Sequence, residues 1–131
     1  MRQDQPPPFA KTLGIKVLSY SPDRIEAELV VRPELGNRNG NMHGGAVMAL
    51  ADDLGGAATI INLPDNTTTT ATIESKTNFF AAINVGDTVR AECTPLHRGR
   101  TTMVWQTKIS RGDGKLAAIV TQTQLVIHGS F

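Results

Sequence analysis

Residues 37–53 read NRNGNMHGGAVMALADD. Turn formers lead to His43 beside Gly44 and Gly45, then to small apolar residues and two adjacent carboxylates, Asp52 and Asp53. At 100° per residue Val47, Leu50, Leu54, Ala58 and Ile61 share one stripe, which predicts a helix over Gly45–Ile61, stopped by NLPDN. A surface helix would carry Lys, Glu or Gln on the other side. This one carries Met48, Ala49, Gly55, Gly56 and Thr59, and no Lys or Arg lies between Arg38 and Lys76. The expectation is a helix buried on every side. Glycines in a helix each cost about 1 kcal/mol relative to Ala, so Gly55 and Gly56 are expected to mark close approach by another backbone or a ligand.

The flanking chain supplies what such a helix needs for cover. IKVLSY and RIEAELVV surround an SPD turn, and Ile25, Ala27, Leu29 and Val31 alternate with Arg24, Glu26 and Glu28, a period of two with one buried face. Four more strands are expected at about Thr68–Phe80, Asp87–Leu96, Thr101–Ser110 and Leu116–Ile127, separated by the turns NVGD, HRGR and RGDGK. FAKTL reads as one helical turn before the first strand. Six strands and one long helix give an α+β chain, an antiparallel sheet wrapped around a central helix. The 131 residues make one domain, with residues 1–8, including Pro6–Pro8, as a poorly ordered lead-in.

Composition narrows the function. With 40% hydrophobic and 19% charged residues and a net charge of +1, nothing favours nucleic acid. No signal peptide is expected at MRQDQPPPF, and no apolar run was expected to span a membrane. The single Cys, Cys93, reads as a core thiol in a reducing cytosol. His43, His97 and His128 show no metal-ligand spacing. No cofactor is expected.

The chemistry concentrates at the helix start. The N–H groups of Gly44 and Gly45 have no intrahelical carbonyl, and the helix dipole adds positive character there. Such donors suit a carbonyl oxygen that gains negative charge. Asp52 lies roughly 10 Å further along the axis at 1.5 Å per residue. An isolated buried carboxylate is costly, so Asp52 is read as a working carboxylate aimed at a ligand, His43 equally as a helix cap, and Asp53 as a solvated residue. A polarised carbonyl beside a base outlines acyl-transfer hydrolysis.

The pattern N-x-x-G-x-x-H-G-G-A-x-x-x-L-A-D, Asn37 to Asp52, resembles the signature of hotdog-fold acyl-CoA thioesterases. It is most similar to the phenylacetate-degradation type and its 4-hydroxybenzoyl-CoA and 1,4-dihydroxy-2-naphthoyl-CoA relatives. The likeness continues through TIESKTNFF (72–80), VGD (85–87) and PLHRGRTTMVWQ (95–106). It implies a hotdog fold, a homodimer assembled further into a tetramer, and sites between subunits. By this resemblance Asp52 is nucleophile or general base, Asn37 orients water or substrate from the partner's loop, the Gly44 N–H polarises the thioester carbonyl and His43 supports that loop. Gly45, Gly56 and Thr72 would meet substrate, while Arg98, Gly99, Arg100 and Thr101 would meet the phosphates of coenzyme A. Many aroyl-CoA members have Glu at Asp52, Gln at Asn37, Ser or Thr at Gly56 and an Arg after the NF pair, where this chain runs from Phe79-Phe80 into Ala81; the Asp/Asn pairing sides with the phenylacetate type. The expectation is a cytoplasmic enzyme that hydrolyses an aryl or medium-chain acyl-CoA. A non-catalytic acyl-CoA-binding hotdog is the rival, and a dehydratase on the same fold a third reading.

Overall fold

A computed structural model describes residues 6–65 and 68–129. Residues 1–5 of the expected lead-in lie outside the described residues, and Pro8 opens a helix, α1 (Pro8–Leu13). Proline suits a first helical turn because its missing N–H would have had no partner. The helix ends at Gly14, whose φ of 85° lets its N–H close onto the carbonyls of Ala10 and Lys11.

Two strands follow, β1 (Lys16–Ser21) and β2 (Arg24–Val30), then a 3-10 turn over Pro33–Leu35 and the long helix α2 (Gly44–Ile61). The remaining strands are β3 (Thr68–Phe79), β4 (Thr88–Arg98), β5 (Thr102–Ser110) and β6 (Leu116–His128). All five pairings are antiparallel, in the order β1-β2-β4-β5-β6-β3. The period-two reading holds: Ile25, Ala27, Leu29 and Val31 are all buried. A boundary moves and an element is new. β4 runs on through Arg98, past a register shift between Pro95 and His97 that absorbs the proline, and the 3-10 turn was not anticipated.

The sheet wraps α2, which touches β2, β3, β4, β5 and β6. Ala46, Val47, Leu50, Ala51, Leu54, Gly55, Ala58 and Thr59 are buried against it. Trp105 of β5 is fully buried and donates its indole N–H to Thr59 Oγ1 at 2.8 Å; that hydroxyl donates in turn to the Gly55 carbonyl. The expectation of burial on every side needs correction. One sheet covers one side of a cylinder, and the stripe of Gly45, Met48, Ala49, Asp52 and Gly56 stays partly or fully open. The expectation about apolar length is also corrected: by length and composition α2 could cross a bilayer, though here it forms the helix under the sheet.

Candidate active site

The loop before α2 is pinned at both ends. Met42 N–H donates to Ile83 O at 2.6 Å and His43 N–H to Leu35 O at 2.8 Å. His43 is the N-cap, with φ −64° and ψ 136°, and its Nδ1 accepts the Gly45 N–H at 2.8 Å. The Ala46 and Val47 N–H groups close onto the His43 carbonyl. Gly44 is the exception: among the described residues its N–H has no acceptor. The two glycines read together in the sequence therefore part company, and Gly44 alone keeps a donor free at the positive end of the helix. Because Nδ1 accepts, a neutral His43 carries its proton on Nε2. The Phe79 ring packs over this point, its Cζ 3.3 Å from where a Gly44 Cβ would stand.

Asn37 is exposed and its Oδ1 accepts the N–H groups of Asn39 (2.9 Å) and Asn41 (3.1 Å), so half of its amide shapes its own loop. It makes no hydrogen bond to Asp52, His43 or Gly44 within the chain.

Asp52 stands on the open stripe of α2. Its Oδ1 accepts from Thr72 Oγ1 at 2.7 Å and from Gln122 Nε2 at 2.9 Å. Thr72 borders a register shift in β3 between Thr72 and Glu74, and bulges of this kind re-aim a side chain beside a site. Gln122 and Gln124 of β6 complete the cluster and were missed in the sequence. The signal was present: both occupy the inward-facing positions of a strand whose neighbours on that face, Ala118, Val120 and Val126, are apolar. Gly55 faces the Gln122 amide rather than a backbone or ligand, while Gly56 faces open space on the Asp52 side. Asp53, expected to be solvated, is half-buried. Burial first, and the Asp52 charge second, push its carboxyl up to about 6.

The β4–β5 hairpin is less open to phosphate than its sequence suggests. Arg98 is paired with Asp23 at 2.8 Å and also donates to Pro22 O, and the Gly99 N–H is bonded to Thr102 O at 2.8 Å. Thr101 and Arg100 are exposed, and Arg100 has no partner among the described residues. Cys93 is buried, and burial pushes its thiol up to about 11, which suits packing and not nucleophilic attack. Among the described residues no group of three His, Cys, Asp or Glu side chains could hold a metal.

The model of the thioesterase superfamily matches residues 39–118, the stretch that contains the helix start, Asp52 and the hairpin. The chain belongs to that superfamily. It is a thioester hydrolase with the hotdog fold. The thioesterase is 33% identical over 103 residues to the proofreading thioesterase EntH of Cronobacter turicensis, covering 79% of this chain and 74% of that protein. Its fold matches the E. coli PaaI protein from the phenylacetic acid degradation operon with a TM-score of 0.84 at 24% identity, covering 93% of this chain and 86% of that one. A hypothetical thioesterase of Streptococcus pneumoniae, solved with coenzyme A, matches with a TM-score of 0.79 at 24% identity over 88% of each chain. Asp52, Thr72, His43 and Gly44 of the thioesterase thus fall within the matched residues.

Proposed function

We propose that the thioesterase hydrolyses an acyl-CoA thioester to a free acid and coenzyme A, with Asp52 as nucleophile or general base. The observation that carries this is the pair of features along α2: an unpaired Gly44 N–H at its start and a hydrogen-bonded, solvent-reachable carboxylate in its middle. Oxygen, from water or from Asp52 itself, adds to the thioester carbon. The carbonyl oxygen takes up charge against the Gly44 N–H, the C–S bond breaks, and the thiolate leaves and gains a proton. If Asp52 attacks first, water then cleaves the resulting anhydride.

Gly44 and Asp52 of one chain are eight residues apart, about 12 Å along a helix axis, whereas reacting groups must meet within about 3–3.5 Å. One thioester therefore cannot use both from the same chain. The proposal resolves this with two copies, the Gly44 and Asn37 of one facing the Asp52 and Thr72 of the other. Support comes from β3, a 12-residue strand at the sheet edge, with Ile73 (57% exposed) and Phe79 (54%) on it and Phe80 (56%) just past its end. A long edge strand with exposed apolar side chains is a template for pairing with another chain. A dimer related by a two-fold axis would also cover the open stripe of α2; further pairing to a tetramer is the resemblance's contribution.

Coenzyme A bound by the S. pneumoniae neighbour supports the leaving group. Arg100, unpaired and exposed, is the readiest phosphate ligand, and Arg98 could join by exchanging Asp23. The acyl group is aryl or medium-chain, and a cytoplasmic location belongs to the same reading. The test is thiol release from a panel of aryl- and alkyl-CoA thioesters, wild type beside Asp52→Ala. Loss of at least ~10²-fold in the variant is expected. An unchanged rate in the variant would reject Asp52 as the working carboxylate.

A further inference from the structure

A chain of buried side-chain amides runs from the sheet to Asp52. Gln122 and Gln124 are each 1% exposed. Amides that deep are costly unless their donors find acceptors. Gln122 Nε2 places one hydrogen toward Asp52 Oδ1 (2.9 Å) and the other toward Gln124 Oε1 (2.6 Å). Gln124 Nε2 donates to Thr70 Oγ1 at 3.1 Å, and the Thr70 hydroxyl is committed to Leu125 O at 2.8 Å. A carboxylate oxygen and an amide oxygen accept only, so the Gln122 amide can sit just one way round. Its own Oε1 is left buried and without a hydrogen-bond partner. That oxygen lies against Gly55, where a Cβ would stand 2.5 Å away. Only glycine leaves room for this arrangement.

The Thr72 hydroxyl has one proton and two acceptors in reach, Asp52 Oδ1 at 2.7 Å and Gln124 Oε1 at 2.6 Å. Thr72 alone therefore does not fix Asp52, because Gln124 competes for its proton. Gln122 Nε2 has two protons for its two short contacts, its other acceptors, Asp52 O and Thr72 Oγ1, both lying further away at 3.3 Å. We propose that Gln122, oriented by Gln124 and Thr70 and given room by Gly55, is a positioning residue that holds Asp52 by Oδ1 and leaves Oδ2 free to work. This rests on the reading of Asp52 above. The four side chains carry no charge, so the carboxylate is steered by neutral donors and no cation is needed to place it.

The experiment is a double-mutant cycle on kcat and KM for thioester hydrolysis, with wild type, Gln122→Met, Asp52→Asn and the double variant. Methionine keeps the length and bulk of Gln122 and removes its donors. A misplaced reacting group costs on the order of 10²-fold, so Gln122→Met is expected to lower kcat by about 10- to 100-fold with KM within about 2-fold. In the Asp52→Asn background the same change is expected to shift the residual rate by less than about 2-fold, because two residues acting as a unit are non-additive. Gly55→Ala gives a second route: its methyl must displace the Gln122 amide, while alanine favours the helix. It is expected to lose kcat in the same way, with its fold checked by circular dichroism. Should Gln122→Met fail to fold, Gly55→Ala and Thr70→Val carry the test. A folded variant with wild-type kcat, or equal losses with and without the Asp52 carboxylate, would overturn the inference. Full activity of Asp52→Asn would instead sink the reading of Asp52 itself.

Discussion

Asp53→Asn should stabilise the thioesterase at neutral pH and do so less as the pH falls. Asp53 is half-buried with no hydrogen bond of its own among the described residues, one residue from the charge on Asp52, and its carboxyl is pushed up to about 6 from 3.8. The sign follows from linkage. A carboxyl whose folded value is raised binds more protons folded than unfolded between those two values, so its ionisation costs stability progressively as pH rises from about 4 to about 6. Below 4 the cost is absent; above 6 it is complete. Two units at 1.36 kcal/mol each would be nearly 3 kcal/mol, but the group is only half-buried and solvent screens it, so about 1 kcal/mol is the better figure. For 131 residues, at about 2.1 cal/mol/K per residue, that corresponds to roughly 3–4 °C in Tm. The assay is thermal unfolding of both proteins at pH 7.5 and pH 4.5, at one fixed concentration so that assembly contributes equally. A gain at pH 7.5 that shrinks towards zero at pH 4.5 is expected. The same gain at both values, or none at pH 7.5, would refute the burial argument.

Other outcomes follow from the same geometry. Gly44→Pro removes the one free N–H at the helix start, in a position where proline suits the helix and follows His43 in its extended conformation; kcat should fall about 10²- to 10³-fold with helical circular dichroism retained, once Phe79 shifts slightly. Arg100→Ala should raise KM for acyl-CoA about 3- to 10-fold, as expected for one charge-assisted phosphate contact, while leaving KM for a short thioester lacking the nucleotide unchanged. If both substrates respond alike, Arg100 does not meet the phosphates. Light scattering should give at least twice the chain mass, since the β3 edge and the open side of α2 need a partner; a monomer that retains full activity would contradict the two-copy site.

Local periodicity determined most of the fold. The alternation of Ile25, Ala27, Leu29 and Val31, and the helical stripe of Val47, Leu50, Leu54 and Ala58, are properties of neighbouring residues, and the packed chain buries them as expected. The candidate site at the helix start could be proposed from sequence for the same reason, because Gly44, Gly45 and Asp52 lie within one short segment. What escaped depends on residues far apart in the chain. Gln122 and Gln124 look like ordinary polar strand residues until β6 brings them beneath Asp52, some 70 positions earlier. Helical periodicity turns Asp52 and Asp53 100° apart, but only packing shows what each meets: two donors for Asp52 on the open stripe, and for Asp53 partial burial with none among the described residues. Which glycine N–H stays free is a local matter that residue types alone do not give: the His43 rotamer claims that of Gly45, two residues on, and leaves that of Gly44. Sequence thus set the elements and singled out the candidate carboxylate, and packing across the sheet set how that carboxylate is held.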